Sequence, residues 1–147
     1  MIGGLVGDLL RQTPPAERQV FCALEAGGPL ACAIFTPLIY QEDPQRVALL
    51  SPMAVAPTRQ RQGLGQALLT HALGALRQEG IEVAITYGDP AFYGRLGFAA
   101  MTEAQARAPL PLSLPHGWLG QRLHGGGLPS LRGPCRCVPA LNRPDLW

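Results

Sequence analysis

The chain has 147 residues, a length typical of one domain that buries a sizeable core. Hydrophobic residues make up 47% and charged residues only 15%, which argues against a disordered chain. The formal net charge of +2 does not indicate a nucleic-acid-binding protein, since such proteins usually carry a strongly basic face.

The first predicted element is an amphipathic helix over residues 2–12, with apolar residues at helical spacing and Pro14 beyond its end. This segment contains Asp8 and has no basic leading region, so it does not resemble a signal peptide. No apolar run in the chain is long enough to cross a bilayer. We therefore expect a cytoplasmic protein that does not contact a membrane.

Two strands are predicted next, at residues 19–25 and 30–37, joined by a glycine-containing turn. Cys22 and Cys32 lie in these apolar runs and are expected to be small core residues. Cys135 and Cys137 form a C-x-C pair that lacks the second ligand pair of a structural zinc site. We therefore expect ordinary reduced thiols and no metal site.

The middle of the chain predicts a strand at 47–55, a helix at 64–79 that Gly80 ends, and a strand at 81–86. This order is typical of a β-α-β unit, so the two strands should be parallel neighbours. Pro52 lies inside the first of them and cannot donate a hydrogen bond to a neighbouring strand. That strand should therefore be bulged, or unpaired on one side, at this position.

A short helix is predicted after the second of these strands. Asp89 can cap it, Pro90 takes its first position and Gly97 ends it. The pattern weakens after Pro109, where residues 117–123 and 134–138 are the candidates for the last two strands. The chain is therefore predicted to be a single α/β domain over residues 1–147.

A glycine-containing loop at residues 59–66 joins the strand at 47–55 to the long helix. Its glycines let the backbone come close to a ligand, and the free N–H groups of a helix start bind phosphate. Arg59 and Arg61 add positive charge. The alternative is an ordinary turn with solvated arginines. A Walker loop fits poorly because Gln66 follows Gly65, and a dinucleotide motif fits poorly because Leu68 takes the place of its third glycine.

Two segments carry a resemblance to a known family. The loop Gln60-Arg61-Gln62-Gly63-Leu64-Gly65 resembles the Q/R-x-x-G-x-G/A motif of the GNAT superfamily of N-acetyltransferases. The preceding PMAVAP resembles the family's cofactor-side strand, and GDPAFYGRLGF at 88–98 resembles the tyrosine segment of the bacterial YhbS-like subgroup. The resemblance covers residues 47–100 closely and residues 1–46 loosely.

This resemblance implies a mixed, mostly antiparallel central sheet flanked by helices, with a parallel strand pair that splays at one end. Family members usually begin with a strand and a helix ahead of the segment at 2–12, so we expect these two elements to be absent here, or the strand to come from a partner chain. An exposed sheet edge would then favour a homodimer.

The function implied by the resemblance is transfer of an acetyl group from acetyl-CoA directly to a primary amine of a small molecule or peptide. The alternative is a non-catalytic module that binds acetyl-CoA or another acyl-CoA. The predicted cofactor residues are Met53, Ala54, Val55, Gln60, Arg61, Gln62, Gly63, Leu64, Gly65 and Gln66. The acceptor amine is not specified by any pattern in the sequence.

Tyr93 is the predicted catalytic residue. It matches, by resemblance, the tyrosine that protonates coenzyme A, and its phenol is a donor at neutral pH. The alternative is a core aromatic that packs beside Phe92 and Phe98. A backbone N–H at Ala54 or Val55 is the candidate donor to the developing oxyanion. No general base is assigned, since Asp89 is expected to cap a helix and the three histidines are expected to be solvated.

Overall fold

The computed structural model describes residues 2–147. The helices are α1 (Ile2–Gln12), α2 (Leu64–Gln78) and the short α3 (Pro90–Gly94). The strands are β1 (Gln19–Glu25), β2 (Gly28–Tyr40), β3 (Val47–Val55), β4 (Val83–Tyr87), β5 (Ala99–Ala100), β6 (Trp118–Arg122) and β7 (Cys135–Arg136). The predicted elements are confirmed, although β2 is longer than expected, and β6 and β7 are shorter.

The seven strands form one sheet in the order β1-β2-β3-β4-β6-β5, with β7 paired to β2. Within residues 2–147, only β3 and β4 pair in parallel, and every other strand pair is antiparallel. A helix between the two parallel strands supplies the crossover that such a pair needs. The mixed, mostly antiparallel sheet predicted from the sequence is therefore confirmed.

The sheet is irregular at Pro52. Ala33 of β2 pairs with Met53 and Phe35 pairs with Leu50, so β3 contains one residue more than β2 over this stretch. This β-bulge lies where the proline cannot donate to a neighbouring strand. On the other side of β3, the pairing with β4 ends at Leu50 and Thr86, while β3 continues to Val55. The predicted splaying of the two parallel strands is confirmed.

Helix α2 covers one face of the sheet. It buries four leucines and Ala72 at helical spacing against Phe35, Leu50 and their neighbours. Its N-cap is Gly63. Gly80 follows the last turn and has φ of 87°, the left-handed conformation that ends many helices. A glycine therefore stands at each end of the helix, as the sequence predicted for Gly80.

Helix α1 and the C-terminal segment cover the opposite face. Leu5 and Leu9 of α1 pack with Ile34, Leu49 and Ile85 of the sheet. The same cluster includes side chains that the weak pattern after Pro109 did not single out. They are Trp118, Val138, Leu141 and Trp147. The final 47 residues thus supply core to a sheet face that α1 alone leaves partly open.

The expectation that Cys22 and Cys32 are core residues is wrong. Cys22 is exposed and Cys32 is half-buried. Alternation along the strands turns Phe21 and Ala33 toward α2, so the two cysteines lie on the opposite face. That face stays open at this end of the hairpin, where Val20 keeps 45% of its surface exposed.

Within residues 2–147, the helices are all too short or too polar to cross a membrane. Over the same residues, no group of three or more histidine, cysteine, aspartate or glutamate side chains is arranged to hold a metal ion.

Candidate active site

A cleft of about 690 Å³ opens where β3 and β4 diverge. Its volume lies within the range of small-molecule sites. The lining comes from β3, from the loop and first turn of α2, and from the segment around α3. It consists of Met53, Val55, Arg59, Gln60, Arg61, Gly63, Leu64, Gly65, Gln66, Gly88, Asp89, Phe92, Tyr93 and Arg95. Of the predicted residues, only Ala54 and Gln62 lie outside this lining.

The backbone of β3 presents alternate residues to the cleft. The N–H of Ala56 donates to the oxygen of Leu30 at 2.7 Å, so Ala56 faces β2. Because backbone groups alternate along a strand, Ala54 also faces β2, whereas Met53 and Val55 face the gap left by β4. The Gln60 side-chain amide donates to the Val55 oxygen at 3.2 Å on that open side. The geometry therefore favours Val55 over Ala54 as an oxyanion donor.

The first turn of α2 presents unpartnered donors to the cleft. The N-cap residue Gly63 has φ of 75° and contributes no side-chain cap. The first intrahelical bond in this turn runs from the Ala67 N–H to the Gly63 oxygen at 3.0 Å. The N–H groups of Leu64, Gly65 and Gln66 therefore have no partner inside the helix, and these three residues line the cleft. Together with the helix dipole, they form a site suited to an anion.

The two glycines of the loop have different roles. A Cβ on Gly65 would lie 2.7 Å from the Met53 Cε, so this glycine lets α2 begin close to β3. A Cβ on Gly63 would meet nothing within 4 Å, and its positive φ is what favours glycine there. The sequence interpretation gave both glycines the role of admitting a ligand to the backbone. The open surroundings of Gly63 suit that role, and the role of both glycines in admitting a ligand stays a prediction.

Three arginines line the cleft. Arg59 pairs with Glu25, so its charge is partly balanced. Arg61 and Arg95 have no ion-pair partner among residues 2–147. Arg61 has φ of 66°, the left-handed region that is uncommon outside glycine. The uncompensated charge of Arg61 and Arg95 adds to the positive end of α2.

Asp89 is the carboxylate of the lining. Its Oδ1 accepts a hydrogen bond from the Ala91 N–H at 2.9 Å, which confirms the predicted helix cap. The three histidines contribute nothing to the lining, and all of them are exposed. They are His71, His116 and His124. The described cleft residues thus offer no histidine as a base, and the one carboxylate already has a structural partner.

Tyr93 is held by aromatic packing and by a glycine. Its ring meets Phe92 edge-on at 4.9 Å and Phe98 edge-on at 5.8 Å between centroids. A Cβ on Gly88 would lie 2.7 Å from the Tyr93 Cε2, so a larger residue at 88 would displace the ring. Gly88 was not among the residues predicted for the site, although it belongs to the tyrosine segment.

The hydroxyl of Tyr93 lies where β3 and β4 part. It lies beside the Thr86 side chain, and Thr86 Oγ1 donates to the Leu50 oxygen at 3.2 Å across the last paired residues. Burial raises the pKa of Tyr93, the polar Thr86 side chain beside it lowers the pKa by less, and the charge of Asp89 raises it further. The phenol is therefore protonated at neutral pH and stands at the apex of the gap.

Comparison with known proteins agrees with this arrangement. A family model described as an acetyltransferase (GNAT) domain matches residues 16–100. The uncharacterized N-acetyltransferase YhbS of Escherichia coli K12 is 29% identical over 87 residues, covering 59% of this chain and 52% of that protein. The chain thus spans about half the length of the curated relatives it matches.

Solved structures show the same fold. Escherichia coli YhbS in complex with CoA has a TM-score of 0.73 at 24% identity, covering 95% of this chain and 77% of that one. A GNAT family acetyltransferase from Brucella melitensis in complex with acetyl-CoA has a TM-score of 0.70 at 24% identity, with the same two coverages. Because the family model spans more than half of the residues, this chain belongs to the GNAT acetyltransferase domain family.

Proposed function

We propose that the chain is an acetyl-CoA-dependent N-acetyltransferase that moves the acetyl group directly to a primary amine of a small molecule or peptide. The observation that carries the proposal is the position of the Tyr93 hydroxyl beside Thr86, whose own hydroxyl bonds to Leu50 at the point where β3 and β4 separate. An open strand edge, an uncapped helix start and a protonated phenol then face one cleft.

The cleft residues fit acetyl-CoA. The N–H groups of Leu64 to Gln66 suit its diphosphate, and Arg61 and Arg95 add charge of the right sign. The free backbone groups of Met53 and Val55 suit the amides of its extended arm, which would bind like an added strand. The CoA and acetyl-CoA complexes of the two proteins of this fold support that choice.

Acetyl-CoA supplies a thioester, whose carbonyl carbon accepts the amine and whose sulfur leaves as a thiolate. Val55 holds its N–H toward the gap, in position to donate to an oxygen that becomes negative. Tyr93 holds a proton at Oη for the departing sulfur, and its raised pKa keeps that proton in place at neutral pH. The amine enters neutral and gives its surplus proton to water, because Asp89 is engaged as a helix cap.

A second candidate function is a non-catalytic acetyl-CoA or acyl-CoA binding module. The engagement of Asp89 favours it, since this leaves no carboxylate or histidine of the described lining free to deprotonate an amine. Calorimetry with CoA and acetyl-CoA combined with a thiol-release screen separates the two functions. The screen should offer small amines, peptides and aminoglycosides, with mass spectrometry of any product.

Thiol release that depends on an acceptor, together with an acetylated amine product, supports the transferase. Tight acetyl-CoA binding without release for any acceptor class supports the binding module. Failure to bind either CoA or acetyl-CoA would contradict both functions.

A further inference from the structure

Two cysteines lie directly opposite each other in the β1–β2 hairpin. Strand β2 pairs in turn with β3, which lines the cleft. In the strand register, Cys22 pairs with Cys32, and their sulfur atoms lie 2.7 Å apart. Both are free thiols. The contact between these two thiols plays no part in the proposed function, and a disulfide between them would not depend on that function.

The backbone pairing at this site suits a disulfide. The hydrogen bond from Ala56 to Leu30 turns the backbone of Leu30, and therefore that of Cys32, toward β3. Cys22 and Cys32 are then a non-hydrogen-bonded pair across β1 and β2, the type whose Cα atoms lie about 4.5 Å apart. Disulfides need a Cα separation of roughly 4.4–6.8 Å. The pair can close without movement of the backbone.

The pair is also accessible to a small reagent. Cys22 is exposed and Cys32 is half-buried on the sheet face away from α2. The other two cysteines differ, because Cys135 pairs with Tyr40 in the β2–β7 register and Cys137 is buried. Burial raises the pKa of Cys135 to about 11 and also raises that of Cys137. These two thiols provide an internal comparison within the same chain.

We propose that Cys22 and Cys32 form a reversible intramolecular disulfide in exchange with a small-molecule disulfide such as glutathione disulfide. The Cys22 thiolate attacks one sulfur of the reagent, and one glutathione thiolate leaves. The Cys32 thiolate then attacks Cys22, and the second glutathione thiolate leaves. The protein loses two protons and two electrons, and the reagent is reduced to two glutathione thiols, so the exchange balances.

The order of attack follows from the environment of the two sulfurs. Burial, then the hydrogen bond with Cys22, then the charge of Cys22 raise the pKa of Cys32 to about 11. Exposed Cys22 is therefore the first to react. Once Cys22 is in the mixed disulfide, it carries no charge, and the contribution of that charge to the raised pKa of Cys32 disappears. Cys32 is then the resolving thiol.

Closure would tie β1 to the strand that backs the cleft. Cys32 pairs with Ala54, whose neighbours Met53 and Val55 face the gap. A disulfide stabilises chiefly by restricting the unfolded chain, and a loop of this length should raise Tm by about 5–10 °C. Oxidised and reduced protein should therefore differ measurably in thermal stability.

The cleavage sites of the chain make the test direct. Trypsin cuts after Arg18 and Arg46, so both cysteines fall in the peptide 19–46, while Cys135 and Cys137 fall in others. Folded protein is incubated with glutathione disulfide, quenched in acid and alkylated in denaturant. We expect peptide 19–46 to be two hydrogen atoms lighter and unalkylated, and to stay joined after cleavage at Glu25. Cys135 and Cys137 should be alkylated.

Cys22→Ser and Cys32→Ser should each abolish the rise in Tm on oxidation, whereas the Cys135→Ser control should keep it. Three results would overturn the proposal. They are alkylation of both cysteines in peptide 19–46, stable retention of glutathione on wild-type Cys22, and a disulfide between two chains on a non-reducing gel. A rise in Tm that persists in Cys22→Ser would overturn it as well.

Discussion

Replacement of Tyr93 by phenylalanine separates the catalytic interpretation from the structural one. The variant keeps the ring between Phe92 and Phe98 and beside Gly88, and removes only the hydroxyl at the apex of the strand gap. Loss of the hydroxyl and its polar contact with Thr86 should cost no more than about 1 kcal/mol of the free energy of unfolding, or a few degrees in Tm. Affinity for acetyl-CoA should change little, because the helix start is untouched.

The expected effect on catalysis is much larger. A positioned acid typically contributes about a hundred- to ten-thousand-fold in rate, so Tyr93→Phe should raise the barrier by roughly 2.7–5.4 kcal/mol. The assay is thiol release at saturating acetyl-CoA with an acceptor from the screen, or slow acetyl-CoA hydrolysis if that is measurable. Because the pKa of Tyr93 is raised, wild-type activity should not fall as pH approaches 10, the ordinary tyrosine value.

Tyr40→Phe is the matched control. The Tyr40 hydroxyl donates to the Arg107 oxygen at 2.7 Å, and the residue does not line the cleft. It should lose about as much stability as Tyr93→Phe, roughly 1 kcal/mol, and keep its turnover rate. A well-folded Tyr93→Phe protein with unchanged kcat would refute the assignment of Tyr93 as the acid, and equal losses of kcat in both variants would indicate a structural effect.

Three further predictions concern the ligand site, acid stability and association. Gly65→Val forces the adjoining β3 side chains into the cleft, so calorimetry should show CoA affinity at least about tenfold weaker. Gly74→Ala in the same helix is the control, because there is open space around Gly74. That variant should bind CoA normally and have a higher Tm. Burial raises the pKa of the Asp43 carboxyl. Hydrogen bonds from Gln45 and Arg132, together with the charge of Arg132, lower this pKa by more, so it lies below its ordinary value of 3.8. The stabilising contribution of the Asp43 carboxylate is therefore complete above pH 3.8 and is lost as pH falls through its lowered pKa. The difference in Tm between wild type and Asp43→Asn should narrow over that acidic range. A difference in Tm that stays constant as pH falls would contradict the prediction. The edge strand β1 predicts dimers, and a monomer in light scattering at high concentration would contradict that.

The sequence predicted those features that depend on local chemistry. The bounds of β1 and β3, the bulge at Pro52, the Asp89 cap and the Gly80 stop follow from residue types and their spacing. The choice between Ala54 and Val55 could not be predicted, because it depends on which backbone groups β2 occupies.

Two other features depend on contacts distant in sequence. The exposure of Cys22 and Cys32 could not be predicted, because an apolar run does not say whether the opposite sheet face is covered. The last third of the chain has short elements separated by glycines and prolines, so its contribution to the core, through Trp118 and Trp147, carries no periodic signal.

The extra residue at the bulge changes which side chains of β3 face α2. Before it, Ala48 and Leu50 point toward α2; after it, the residues that do so are Met53 and Val55, so the even-numbered set gives way to the odd-numbered set. A one-residue deletion there would remove the bulge and leave Met53 and Val55 facing α2, whereas a two-residue deletion would give their positions to Ala54 and Ala56. A relative without the bulge should therefore be one residue shorter at this point and keep its larger side chains facing the helix.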